Sequence, residues 1–418
     1  MVAISRAQLS TQDRTDDRVA VLLMGYGEVE SYEDFANYNE QALNLLTAKF
    51  APVPTWIYPP LAKLLALFDR HEWDHQHDHF ISPHNAIFER QRAGIERHLK
   101  TKWGDRVSVF KAFNFCAPFL PHQVLADIQS QGFTKLLIYP LLVVDSIFTS
   151  GIAVEQVNSA LAQTFREKAD HWLQSTRYMP SFYNQPDYIA LLASQVENKI
   201  QQHLAVAHLP SQTGIVLMNH GCPHKAKGFT SGIMESQLLY EAVRERLIYN
   251  YPLVSIGWLN HATPMIEWTQ PNVAQAAKNL MDLGATALVL MPIGFATENH
   301  ETLLDVEHII SHLRKKRPDV TYVQMPCVND HNDFLAMAAG WVDGLISDLL
   351  GEEGVAVNHT HRAQLAEVFS SPSHDHHGHG NDDHHHSGHH HDHHHNGHHH
   401  DGHHHDQHSH HHHVHQSH

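Results

Sequence analysis

The chain is short of cysteine. Cys116, Cys222 and Cys327 are its only three, and no CxxC pair joins them. An odd count makes a poor disulfide framework, and three thiolates are too few for an ordinary iron–sulfur cluster. A reducing compartment is therefore expected. Basic residues are also scarce: 28 Lys and Arg against 45 Asp and Glu leave a formal charge of -17 with histidine neutral. A nucleic-acid binder would show a basic face, so the balance argues against that class and suits a protein that handles cations. Long apolar runs are absent, none reaching the roughly 18 residues of a membrane span. The start of the chain, residues 1–17, is polar and lacks the apolar core of a signal peptide. A cytoplasmic protein with a flexible N-terminus and no stable membrane insertion is the expectation. A phosphate loop is missing too. Val21-Leu22-Leu23-Met24-Gly25-Tyr26-Gly27 ends in glycines but lacks GxGxxG, and no phosphate-binding lysine follows.

What is present is ample apolar sequence, 42% of 418 residues, arranged in short runs between longer helical patterns. The spacing predicts strands at Val19–Met24, Val107–Ala112, Leu136–Leu142, Gly214–Asn219, Val254–Gly257, Ala287–Pro292 and Thr321–Met325. Most are continuous Val/Ile/Leu runs without alternation, as in strands buried on both faces of a parallel sheet. Pro121–Gln131, Met234–Asn250 and Asn272–Leu283 carry helical spacing, so the expected class is α/β with helices on both sheet faces. Asp127–Val144 and Leu280–Ala296 share an order of helix end, glycine, strand and proline. They hint at two similar lobes, although any two βαβ units look somewhat alike. Expected boundaries are an N-terminal lobe over 18–170 and a C-terminal lobe over 171–351, whose last helix packs back on the first. Trp56–Phe80 fits no βαβ unit and reads as an insertion near a cleft mouth, apolar at first and then rich in histidine and acid. A linker over 352–373 leads to a tail over 374–418 made of His, Asp, Gly, Asn and Ser, with more than half of the 45 histidines. Such a composition cannot bury apolar surface, so disorder is expected. Its clustered imidazoles, His384, His385, His386, His398, His399 and His400 among them, suit Ni2+, Co2+ or Zn2+. An expression tag is the other reading, but tags are usually short and uninterrupted.

Four segments carry candidate chemistry. The first runs from Met291 through Gly294 to His308, from a strand end into a helix, where open α/β sheets place ligands. There Glu301, Asp305 and His308 stand at i, i+4 and i+7, on one face of an α-helix. They form either a line that passes metal or protons, or an ordinary solvated face. In the second, His220 ends an apolar strand ahead of Gly221. It is either a cleft group that takes protons near neutral pH or a turn cap. In the third, Tyr26 lies between two glycines, and either meets a flat ligand or sits on a tight turn. In the fourth, Trp258 and Trp268 either line an apolar slot or pack a core corner.

Together these segments resemble ferrochelatase, in order, over most of Arg18 to about Leu350. Leu22 to Gly27 resembles the family's first strand and loop, and Ile81-Ser82-Pro83 its Ile-Ser-Pro segment. His220, in Asn219-His220-Gly221-Cys222-Pro223, sits where the family has its catalytic histidine. Trp268-Thr269-Gln270-Pro271 resembles Trp-Leu-Gly-Pro, and Pro292 to Glu301 resembles Pro-Val/Ile-Gly-Phe-x-x-Asp-His-x-Glu. The resemblance implies the chelatase fold, two Rossmann-like lobes with parallel sheets. It implies His220 and Glu301 as catalytic groups, and Tyr26, Ser82 and Trp268 as tetrapyrrole contacts. Asp305 falls on an acidic family position and implies a metal relay; His308 has no counterpart and joins the relay on spacing alone. Departures are Glu298-Asn299 in place of Asp-His, the neighbouring His300, Cys222 after the histidine, and a missing basic stretch after the first helix. Tyr26, where many protoporphyrin enzymes have Met or Leu, is similar to members acting on coproporphyrin. The implied reaction is insertion of a divalent metal, Fe2+ ahead of Co2+ or Ni2+, into a porphyrin in haem biosynthesis. The metal is a substrate and no cofactor is required. A cobalt or nickel chelatase acting on sirohydrochlorin stays open, as does a non-catalytic metal-binding or storage protein on the same fold. The sequence does not fix the oligomeric state.

Overall fold

The computed structural model describes residues 17–47, 54–77, 80–164, 172, 175–223, 231–260 and 267–352. Nearly all of the expected N-terminal segment and linker, and the whole histidine-rich tail with His384–His386 and His398–His400, lie outside the described residues.

The first half begins with β1 (Val19–Gly25), whose first six residues are fully buried, as a continuous apolar run requires. Then come α1 (Phe35–Ala42), α2 (Tyr58–His77), α3 (His84–Trp103), β2 (Val107–Phe113), α4 (Pro121–Ser130), β3 (Lys135–Pro140), α5 (Ser150–Thr164) and β4 (Thr176–Tyr178). These strands form a parallel sheet in the order β2-β1-β3-β4. After α6 (Pro186–His203) the second half repeats the plan. It runs β5 (Thr213–His220), α7 (Ile233–Leu247), β6 (Leu253–Leu259), α8 (Val273–Asp282), β7 (Ala287–Pro292), a π-helix (Glu301–Asp305), α9 (Val306–Lys316), β8 (Thr321–Gln324) and α10 (Asn332–Leu349). Its parallel sheet has the order β6-β5-β7-β8. The two sheets share one topology, and the shared register goes further. Met24 pairs with Pro140 in the first sheet, and Met218 pairs with Pro292 in the second. Tyr26 and His220 each stand two residues beyond those methionines, so they occupy equivalent strand ends.

All seven expected strands are present. The eighth, β4, pairs with β3, so the first sheet runs past the expected boundary at 170–171. Its three residues, Thr-Arg-Tyr, form an edge with no apolar run to announce it. The insertion at 56–80 is mostly one helix, α2. Ala66 and Trp73 from it join Val29, Phe35 and Leu304 in a small apolar cluster beside the cleft.

The lobes share their largest core. On α10, Phe334, Leu335, Val342 and Ile346 pack with Ile95, Leu99 and Trp103 of α3. A Cβ on Gly94 would come within 2.4 Å of Leu335, so glycine lets these helices approach closely. Trp103 Nε1 donates to Asp343 at 2.8 Å across the same seam. Burying one such leucine is worth about 2 kcal/mol, so several of them hold α10 on the first lobe. Among the described residues no helix is long and apolar enough to cross a membrane.

Candidate active site

The site forms where β1, β5 and β7 end. At the end of β5, His220 turns into Gly221. A Cβ there would lie 1.8 Å from Asn260 Oδ1 and 2.8 Å from the Leu259 carbonyl, so only glycine lets the chain turn under Asn260. After β7, Gly294 also packs closely, a Cβ there falling 2.6 Å from Asn219 Oδ1. That approach carries Phe295 to 6.3 Å from the His220 ring, between centroids. The chain then enters the π-helix at Glu301.

His220 Nε2 lies 3.3 Å from Glu301 Oε1, and His220 Nδ1 lies 2.6 Å from the Gly221 carbonyl. A carbonyl only accepts, so Nδ1 carries a proton and Nε2 is the atom that exchanges one with Glu301. The Glu301 side chain is 10% exposed and that of His220 45%. An incoming ligand thus meets the imidazole first, with the carboxylate behind it. Burial by itself would lower the His220 pKa. The Glu301 charge, its hydrogen bond and the Gly221 carbonyl outweigh burial and the nearby His300, and raise it.

Tyr26 comes from the equivalent end of β1. Its ring stacks on Phe115 at 5.7 Å and 6°, and Tyr38 meets Phe115 edge-on at 5.6 Å. The Tyr26 hydroxyl donates to the Phe148 carbonyl. Burial, and then the charge of Glu301, push the Tyr26 phenol above its usual range. Tyr26 therefore lies within electrostatic reach of Glu301 and stays protonated at any physiological pH.

A second pair stands beside the first. His300 Nδ1 lies 2.5 Å from Glu28 Oε1, joining the π-helix to the loop after β1 across 272 residues of sequence. Burial opposes charge on His300, but Glu28, Glu301 and Asp305 together push its pKa up to about 10. Burial likewise opposes charge on Glu28, and His300 overcomes it, holding that carboxylate below its usual range. Carboxylates and imidazoles thus alternate through Glu28, His300, Glu301 and His220.

Several expected residues fall elsewhere. Ser82 is buried. Its hydroxyl accepts from the His84 N–H at 3.2 Å and hydrogen-bonds Glu28, so it steadies that carboxylate. His308 is exposed on α9 and does not line up with Glu301 and Asp305. The i, i+4, i+7 argument assumed a continuous α-helix, but a π-turn holds an extra residue and rotates the helix beyond it by about 100°. Asp305, half-buried in the π-turn, stays close enough to raise the His300 pKa. Trp268 is half-buried and bridges Pro223, just after His220. Trp258 is core, at 4% exposure, so the two tryptophans do not line one slot. Tyr38, Phe115 and Glu28 belong to the site without any local motif to reveal them. Among the described residues no three His, Cys, Asp or Glu side chains are grouped so as to hold a metal ion.

The ferrochelatase family profile matches residues 18–344. A ferrochelatase of Cyanothece sp. is 27% identical over 337 residues, covering 76% of this chain and 80% of its own length. A ferrochelatase of Picosynechococcus sp. is 25% identical over 333 residues, with coverage of 78% and 82%. Among solved structures, SirB from Bacillus subtilis with Fe3+ is 12% identical and aligns over 80% of this chain and 98% of its own, with a TM-score of 0.44. The matched stretch starts at β1, ends within α10 and takes in Tyr26, Glu28, His220, His300 and Glu301; the chain belongs to the ferrochelatase family of metal chelatases.

Proposed function

We propose that the chain inserts a divalent metal ion, Fe2+ before others, into a porphyrin in haem biosynthesis. The observation that carries this reading is the pair His220 Nε2–Glu301 Oε1 at 3.3 Å, at a strand end equivalent to the one that carries Tyr26. A flat ring lies in the cleft, with one face toward His220 and Glu301 and the other toward Tyr26. Two pyrrole N–H protons must leave as a dication enters, so the ring needs an acceptor on one face. His220 Nε2 takes the two protons from the ring in turn and hands each to Glu301 behind it. Glu301 begins a π-helix whose next turn carries Asp305, and Asp305 relays protons or metal along that line. A ring bent by the site points its nitrogen lone pairs out of plane, toward the arriving ion. The metal sheds water and exchanges protein oxygens for four ring nitrogens, with no change of oxidation state.

The test offers Fe2+, Co2+, Ni2+ and Zn2+ against protoporphyrin, coproporphyrin and sirohydrochlorin, followed by absorbance. Turnover with Fe2+ and a porphyrin is the expected result. Turnover confined to sirohydrochlorin with Co2+ or Ni2+ would move the assignment to the cobalamin-type branch. Stoichiometric binding without turnover would make the protein a metal or tetrapyrrole carrier.

A further inference from the structure

We infer that Glu28, reaching from the first lobe, caps the Glu301 helix of the second and is a positioning residue for Glu301; the inference rests on the chelatase reading of that site. The π-helix starts at the cleft, and the first backbone N–H groups of a helix have no partner within it. The structure satisfies them in two ways. Asn299 acts locally: its side-chain oxygen accepts from Thr302 N–H at 2.9 Å, while Thr302 Oγ1 accepts from Asn299 N–H at 3.0 Å. Glu28 accepts the His300 N–H at 3.2 Å to Oε2, while Oε1 holds His300 Nδ1 at 2.5 Å. One carboxylate from another lobe thus grips both the backbone and the ring of the residue preceding Glu301. A negative charge at a helix start is also favoured by the helix dipole.

Glu28 is itself held rigidly. Its backbone N–H donates to Asn85 Oδ1 at 3.0 Å and its carbonyl accepts from Asn85 Nδ2 at 2.7 Å. Cys116 Sγ donates to the same carbonyl at 3.4 Å. The carboxylate is 7% exposed, so its charge is desolvated and every bond to it counts for more. Glu28 also stands two residues from Tyr26, across Gly27, whose φ of 75° and contact with Phe113 suit glycine alone. The group on one side of the cleft and the carboxylate on the other are therefore fixed to each other through one ion pair. An interface between lobes would otherwise let Glu301 drift, and a misplacement of about 1 Å can cost on the order of a hundredfold in rate.

The test uses the full chain and its Glu28→Gln and His300→Gln variants. Amide hydrogen exchange of the ligand-free proteins is read over His300–Leu304, with α10 as an internal control. Insertion of Zn2+ into coproporphyrin and protoporphyrin is read alongside. Each variant is expected to speed exchange over His300–Leu304 by about tenfold, the scale of one charge-assisted hydrogen bond, while α10 is unchanged. For the porphyrin the parent turns over, kcat is expected to fall at least about tenfold and KM to stay within about twofold. The double variant should be no worse than Glu28→Gln alone, because the ring contact that His300→Gln removes is already weakened when Glu28 loses its charge. Exchange unchanged in a folded variant, a rise in KM alone, or additive effects would overturn the inference. Should Glu28→Gln fail to fold, His300→Gln decides on the same readings. If the parent chain inserts no metal, the chelatase reading fails, while exchange still decides whether Glu28 holds the helix.

Discussion

Nδ1 of His220 is tied to the Gly221 carbonyl at 2.6 Å, so the ring cannot turn over or switch tautomer without losing that bond. Only Nε2 is left to meet a ring proton, and Glu301 is the group that sets its basicity. Replacing His220 by Ala should lower turnover at least about a hundredfold, the usual scale for a lost general base. The fold should survive, since the side chain is nearly half-exposed; near-normal turnover in a folded variant would remove His220 from the mechanism. Glu301 raises the His220 pKa, which gives a signed expectation. In the parent, turnover should fall as pH drops through that raised value, where Nε2 becomes protonated. With Glu301→Gln the charge that raises it is gone, so the His220 titration, followed by ring NMR, should move to lower pH. Turnover should vanish in that variant while porphyrin binding, seen by absorbance, persists. A His220 titration that stays put would show that Glu301 is not its partner in solution.

The π-turn is the element on which the site depends. An α-helix would have carried Glu301, Asp305 and His308 on one face. Instead the wide turn holds Glu301 and Asp305 at the cleft and rotates α9 so that Val306, Ile310 and Leu313 are buried and His308 faces water. Deleting half-buried Leu303 would restore α-helical phase. Either the apolar face of α9 or Glu301 must then turn by about 100°. The apolar face is the costlier to expose, at about 2 kcal/mol per side chain. The deletion should therefore keep α9 packed, as read by thermal melting, and abolish turnover; a folded, active deletion would detach function from the π-turn. Asp305→Asn, which keeps size and removes charge, should slow turnover less than Glu301→Gln and shift its dependence on metal concentration. The sequence could not announce this turn, because 301–316 keeps ordinary helical composition throughout. Strands such as β1 and β7 were legible because runs buried on both faces are apolar without interruption. Three-residue β4 was not, and neither was the Glu28–His300 pair, which no local spacing connects. Ser82 was found by motif, but its place behind Glu28 depends on the packing of α3 against the loop after β1.

At the scale of the molecule, two lobes of one topology present unlike groups at equivalent strand ends, Tyr26 in one and His220 in the other. That unlikeness gives the cleft a phenol that stays protonated beside an imidazole paired with a carboxylate, the two groups that the proposed reading assigns to opposite faces of a ring. Among the described residues the cleft groups no three metal-ligating side chains, whereas the composition of 374–418 is suited to holding metal. Imidazoles near a pKa of about 6.5 are mostly neutral at pH 7.5 and bind borderline divalent ions well. A tethered donor also keeps its metal at an effective concentration on the order of millimolar for a neighbouring site. Ending the chain at Phe369 should therefore remove most of the Ni2+, Co2+ or Zn2+ bound per chain, measured after dialysis. Retention by the full chain should be strong at pH 7.5 and fade below about pH 6, because protonated imidazole has no lone pair to give. The family match ends at residue 344, so the shortened chain keeps every residue of the site. Its turnover at saturating metal should equal that of the full chain, and only at limiting metal should the two diverge. If the shortened chain is inactive even in excess metal, the tail takes part in the chemistry itself. If it binds as much metal as before, the ions are held within the body of the protein.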